Sequence, residues 1–201
     1  MLRLTRIVLV EPQHPGNVGA VARVMANFRI NDLALVKGCE INDDGYARSK
    51  SGRPVLENLK RFETMKEALA DCDIAIGTSG IKTEGDKRWF RAPKSVKKIN
   101  EIMESRENPA LVFGRENYGL YKEELALCEV TLTIPTNPDY PILNLSHAVG
   151  IVLYEIKRKE KVKGPKKRKA VSQEEFERLV ERIMNMLEDS SYPERKLARS
   201  K

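Results

Sequence analysis

Cysteine and histidine are nearly missing from this chain. Three cysteines (Cys39, Cys72, Cys128) and two histidines (His14, His147) lie too far apart for any zinc-ligand spacing, so no metal site is expected. An odd, scattered cysteine set is read as reduced thiols in a cytoplasmic protein. Aromatic residues make up 6% of the chain, and tryptophan occurs once, as Trp89. No apolar run reaches the roughly 18 residues of a membrane span, so no membrane partner is expected. Met1-Leu-Arg-Leu-Thr leads straight into a strand, without the pattern of a signal peptide. No internal repeat is visible. Gly-Lys-Ser/Thr is absent, which excludes a P-loop. Gly16-Asn17-Val18-Gly19 lacks the three-glycine dinucleotide pattern, and neither histidine follows a nucleophile elbow.

What is present reads as one globular core with an appendage. Of its 201 residues, 41% are hydrophobic and 32% charged. The net charge of +7 is unevenly placed. Residues 1–156 hold 21 Lys/Arg and 21 Asp/Glu, so the whole excess lies in residues 157–201. Lys157–Lys169 alone carries nine basic residues and one glutamate. Such a run is either a solvated linker or a polyanion contact, because clustered Lys/Arg release counterions from phosphates.

Periodicity predicts alternating strands and helices. Arg6–Val10, Asp32–Val36, Asp73–Thr78, Ala110–Phe113 and Val130–Ile134 read as buried strands. Asn17 is placed to cap a helix over Asn17–Phe28, in which Ala20, Ala22 and Ala26 permit close approach of another backbone. Gly38–Asn58 reads as loop and irregular helix broken near Pro54. Thr64 and Glu67 make a capping-box pair for a helix through Ala70, Ser95 opens a helix to about Arg106, and Lys122–Cys128 is a short one. Residues 81–93, with Trp89 and Phe90, read as a surface excursion. This βα order implies a mostly parallel sheet with helices on both faces. After the basic run, Ser172 and Glu175 form another capping-box pair. Phe176, Leu179, Val180, Ile183 and Leu187 then repeat at helical spacing, so this amphipathic helix must dock on something. Glu194–Lys201 has no C-cap and no core, so the chain reads as ending partway into an element.

The most informative stretch is Thr131–Ile156. A β-branched strand passes into a loop holding Pro135, Pro138 and Pro141, then into a helix opened by Asn144 that is apolar nearly all round. Such a helix needs cover on two sides, its own sheet and a second subunit. Ligands of parallel α/β sheets sit beyond the C-terminal strand ends. Four such ends here are polar and glycine-rich. The residues alone suggest a backbone-lined pocket with one arginine, Arg23, and one carboxylate, Glu116. They do not name a reaction.

Three segments carry a resemblance. Asn17-Val18-Gly19-Ala20-Val21-Ala22-Arg23 is the first, and Leu111-Val112-Phe113-Gly114-Arg115-Glu116-Asn117-Tyr118-Gly119-Leu120 the second. The third is Ile134-Pro135 with Leu143-Asn144-Leu145-Ser146-His147-Ala148-Val149. Together they resemble the three motifs of the SPOUT ribose 2′-O-methyltransferases, and most of all the TrmJ-type tRNA (cytidine/uridine) methyltransferases. The match spans roughly residues 1–160. It implies an α/β fold with a deep C-terminal trefoil knot and a homodimer formed through the first and last core helices. It implies S-adenosylmethionine held by Thr78, Ser79, Gly80, Gly114, Arg115, Glu116, Ile134, Ile142, Leu143 and Asn144. It further implies methyl transfer to a ribose 2′-hydroxyl of tRNA, at the first nucleotide of the anticodon loop. Arg23 is the implied catalytic residue, with Asn17 and Glu116 orienting it and Ser146 nearby. Many relatives carry serine two residues before the motif asparagine; here that position is Ile142, and Ser146 or a backbone group is the candidate substitute. The division read from these features is a methyltransferase domain over 1–156, a basic linker over 157–170 and a helical C-terminal extension over 171–201. Ribosomal RNA as substrate, or RNA binding without turnover, are the alternatives.

Overall fold

Five consecutive apolar side chains cannot all face one side of a sheet, because successive strand residues point to opposite faces. Such strands need cover above and below, and the computed structural model supplies it. It describes residues 5–80, 92–158 and 172–189, so Trp89, Phe90, the basic run beyond Arg158 and residues 190–201 lie outside the described residues. The chain divides into two units, Met1–Glu160 and Lys161–Lys201.

The first unit holds a seven-stranded sheet. Its strands are β1 (Arg6–Val10), β2 (Asp32–Val36), β3 (Lys60–Phe62), β4 (Ile74–Ser79), β5 (Lys94–Ser95), β6 (Pro109–Phe113) and β7 (Val130–Thr133). Their order is β3-β2-β1-β6-β4-β7-β5, and every pairing is parallel. Strands β3 and β5 were not expected; both are short, largely exposed edge strands with no apolar pattern to read. Side chains alternate between two cores. Ile7, Leu9, Leu33, Leu35, Ile76, Leu111, Phe113 and Leu132 face one side. There they meet Val18, Val21 and Met25 of α1 (Pro15–Asn27), and Leu145, Val149, Val152 and Leu153 of α7 (Leu145–Arg158). Val8, Val10, Ala34, Ala75, Ala110 and Val112 face the other side. They are covered by α4 (Met65–Leu69) and α6 (Lys122–Ala126).

The segment after β2 is more regular than expected. It forms α2 (Asp43–Ser49), a 3-10 turn and α3 (Arg53–Glu57), with Pro54 in the first turn of α3, where its missing N–H is not needed. Both arms of the Thr64–Glu67 capping box are made, at 3.2 Å each. The helix expected from Ser95 to Arg106 is shorter: a 3-10 turn, then α5 (Ile99–Ile102). Close approach to α1 occurs at Gly19, where a Cβ would lie 2.0 Å from the Gly45 carbonyl oxygen, and at buried Ala22 as expected, where a Cβ on Gly52 would lie 2.4 Å from the Ala22 carbonyl oxygen. Ala20 and Ala26 are only half-buried. At the opposite end of the sheet from the loops described below, buried Arg6 binds Asp32, the Ala68 carbonyl and Asp71. In the second unit, α8 (Gln173–Asp189) starts at the Ser172–Glu175 capping box. Phe176, Leu179, Val180 and Ile183 on it are exposed.

Candidate active site

Strands β6, β4 and β7 are neighbours, so the loops leaving their C-terminal ends converge. They enclose a cavity of about 250 Å³. The three loops are those after Ser79, after Phe113 and after Thr133, and the start of α7 closes the space. Its walls are apolar, from Phe113, Leu120, Ile134, Ile142, Leu143 and Leu145; Thr78, Ser79 and Glu116 supply polar groups.

Nine of the ten residues expected to hold a cofactor line this cavity, and Asn144 alone does not. Their side chains are not equally free. The Thr78 hydroxyl donates to the Val112 carbonyl at 3.1 Å. Arg115 is 6% exposed, and its guanidinium is fully engaged elsewhere. Nε donates to Glu11 at 3.0 Å, and Nη1 and Nη2 grip both oxygens of Glu124 at 3.0 and 2.9 Å. The group also lies 4.0 Å from the centroid of the Tyr121 ring. Burial works against its charge, but the two carboxylates outweigh that and hold it protonated. Arg115 is therefore an anchor for its loop rather than a group offered to a ligand. The loop it anchors is a tight hairpin, closed by Arg115 N–H to Gly119 O at 3.1 Å and Gly119 N–H to Arg115 O at 2.9 Å. Gly114 makes this possible, since a Cβ there would lie 2.0 Å from the Gly119 carbonyl carbon. Glu11, at φ 47°, keeps a left-handed conformation that non-glycine residues seldom adopt, and its ion pair with Arg115 helps fix it.

The rim beside the cavity is a polar relay. Glu116 accepts from the backbone N–H of Gln13 at 3.0 Å and His14 at 3.2 Å, and from Asn17 Nδ2 at 2.9 Å. Asn17 Oδ1 accepts from Asn144 Nδ2 at 3.1 Å, and Asn144 Oδ1 accepts from Ser146 N–H at 3.0 Å and Ser146 Oγ–H at 2.8 Å. Three sequence-distant segments are thus tied together by residues drawn from all three motifs. Burial raises the energy of the Glu116 carboxylate, but these donors more than compensate and hold its carboxyl below the ordinary range. With both oxygens occupied it is a poor proton acceptor and a good clamp. Asn17 does not cap α1 as expected: the helix starts two residues earlier, at Pro15, and the amide is committed to the relay.

Arg23 is placed differently. It is exposed on α1, has no hydrogen-bond or ion-pair partner among the described residues, and does not line this cavity. Along α7, Leu145, Val149, Val152 and Leu153 are buried, while Tyr154 is exposed and Ile151 and Ile156 are half-buried. The residues missed from the sequence are Glu11, Tyr121 and Glu124 around Arg115, and Tyr118 at the cavity. Glu124, three residues into the Tyr121-Lys-Glu-Glu turn, was the one legible signal, as a helix-start carboxylate.

The SpoU rRNA methylase family model matches residues 4–154. The tRNA (cytidine-2′-O-)-methyltransferase TrmJ of Methanocaldococcus jannaschii is 41% identical over 162 residues, covering 80% of this chain and 70% of that protein. Among solved structures, TrmJ from Z. mobilis superposes with a TM-score of 0.70 at 29% identity, over 97% of this chain and 85% of that one. The same fold, at 20% identity and a TM-score of 0.61, occurs in the SpoU methyltransferase AviRb of Streptomyces viridochromogenes, solved with its cofactor AdoMet; the match covers 79% of this chain and 61% of that one.

Proposed function

The chain belongs to the SpoU methylase family, and from that premise we propose that it transfers a methyl group from S-adenosylmethionine to a ribose 2′-hydroxyl of tRNA, at the first nucleotide of the anticodon loop. The observation that carries this is the cavity at the ends of β6, β4 and β7, rimmed by the Glu116–Asn17–Asn144–Ser146 relay.

The residues suit such a cofactor. Ile134, Ile142, Leu143 and Leu145 offer apolar walls for a purine. The backbone N–H groups of Ile142 and Leu143 make no hydrogen bond among the described residues, which leaves them free to recognise a base edge. When bound, the cofactor supplies an electrophilic methyl group on a sulfonium. The chain's own part is orientation and electrostatics. Glu116, through Asn17 and Asn144, holds the loop after β6, the start of α1 and the proline loop in one arrangement. Arg23 offers a planar, delocalised cation with a fork of N–H donors that matches phosphate geometry. Its role is to grip a phosphate next to the target ribose and stabilise the negative charge that develops on the 2′-oxygen as the hydroxyl proton passes to solvent water. Its absence from its own cavity supports a homodimer built on α1 and α7, in which Arg23 serves the partner's cofactor. In this reading β7, the proline loop and α7 form the knotted part of the core. Residues 157–170 are a basic linker that meets RNA, 171–201 are a helical extension, and the protein works in the cytoplasm. Among the described residues no helix is long and apolar enough to cross a membrane.

The test is incubation with methyl-labelled S-adenosylmethionine and either bulk tRNA or ribosomal RNA. Nuclease digestion and mass spectrometry then locate the product. Label in tRNA at the anticodon-loop start is expected. Label in ribosomal RNA alone would move the substrate, and cofactor binding with no transfer to either RNA would make the protein a non-catalytic RNA binder.

A further inference from the structure

Two large apolar side chains at the mouth of the cavity face solvent. Tyr118 is 70% exposed and Ile142 49% exposed, yet both line the cavity. They come from different loops, one after β6 and one after β7. An isolated exposed tyrosine needs no explanation. This one sits on unusually firm ground. Tyr118 occupies the tip of the five-residue hairpin closed by the two Arg115–Gly119 backbone bonds, and that hairpin is fastened from below by buried Arg115 with its two carboxylates and the Tyr121 ring. A buried arginine with two ion pairs is a costly foundation for a surface turn unless the position of the tip matters.

Resting on the methyltransferase reading above, we propose that Tyr118 is a stacking platform for the nucleobase carried by the ribose being methylated, with Ile142 as a second apolar surface of the same mouth. The chemistry is that of single-stranded RNA recognition: an unstacked base lies on an aromatic face held at a set height, and every base presents such a face. A platform of this kind tolerates more than one base, because no hydrogen bond reads the edge. Tyr118 is a positioning residue, since stacking fixes where the attached ribose sits.

The experiment is steady-state methyl transfer to tRNA by the full-length protein, comparing wild type with Tyr118→Ala, Tyr118→Phe and Tyr118→Trp. Cofactor affinity is measured in parallel by calorimetry. Because Tyr118 is exposed, these variants keep the fold. For Tyr118→Ala, kcat/KM for tRNA is expected to fall about tenfold or more, with Kd for S-adenosylmethionine changed less than about twofold. Phe and Trp are expected to recover most of the loss, since ring area matters and the hydroxyl does not. Unchanged kcat/KM in Tyr118→Ala would overturn the proposal. So would an equal loss of cofactor affinity, which would make Tyr118 a wall of the cofactor site, or a failure of Phe to rescue, which would make the hydroxyl the active part. No transfer by the wild-type protein to any RNA would defeat the methyltransferase reading itself, and the platform with it.

Discussion

Replacing Arg115 with methionine tests whether that side chain is an anchor. Methionine keeps most of the aliphatic stem and fills the space, so little cavity cost arises. What is lost is charge. Removing one member of a buried ion pair costs about 3–5 kcal/mol when both are desolvated. Glu124 is 17% exposed and keeps some water, so about 2 kcal/mol is a fair share for its two-point grip. Glu11 is 42% exposed, and solvent screening reduces its pair to under about 1 kcal/mol. Loss of the contact with Tyr121 adds about 0.5 kcal/mol. The expected net destabilisation is about 3 kcal/mol, read by urea unfolding at fixed protein concentration. Arg115→Lys should recover less than half, because one ammonium cannot reach both carboxylates in a two-point geometry. One molar salt should leave the difference between wild type and variant largely intact, since the Glu124 pair is shielded. A loss below about 1 kcal/mol, or full rescue by lysine, would refute the anchor.

Glu116→Gln removes a carboxylate whose folded pKa is depressed. A depressed group stabilises above its unfolded pKa and loses that contribution as pH falls through its folded value. The stability gap between wild type and Glu116→Gln, measured by urea unfolding, should therefore be full at neutral pH and shrink below the ordinary glutamate value of 4.5. A gap independent of pH would contradict it. Asp71, also depressed by Arg6, is common to both proteins and cancels in the comparison. Arg23→Ala should abolish methyl transfer and leave cofactor Kd within about twofold, and mixing it with a cofactor-site variant such as Gly114→Ala should restore part of the activity if arginine acts across a dimer. Deleting residues 157–201 should weaken tRNA binding and flatten its salt dependence while cofactor affinity stays the same; unchanged tRNA affinity would reduce the segment to a linker.

The five internal strands were legible because each is an apolar run that only a sheet covered on both faces accommodates, and all five stand within two residues of their expected ends. Strands β3 and β5 were not, because a short edge strand carries no burial pattern: Lys60 and Lys94 look like any surface lysine. Proline in Arg53-Pro54 read as a break and proved to be a start, since the same missing N–H suits both. The site loops were legible as glycine-rich strand ends, and the motif resemblance named ten residues, nine of which line one cavity. Their division of labour was not legible. Arg115 and Arg23 are both motif arginines, yet one is buried between carboxylates contributed by Glu11 and Glu124, and the other stands free on a helix.

By itself, the order of residues determined the layering, the parallel sense of the core and the chemistry present at each strand end. Those depend on local periodicity and on side-chain type, which neighbours in sequence display. Only the tertiary structure decided which polar groups are spent on one another. Asn17, Glu116 and Asn144 lie up to 127 positions apart, and their hydrogen bonds exist only once parallel β1, β6, β4 and β7 bring their loops to one end of the sheet. A hydrogen bond or ion pair reaches about 3 Å, so which partner a side chain takes is settled by folding distance rather than by spacing along the chain.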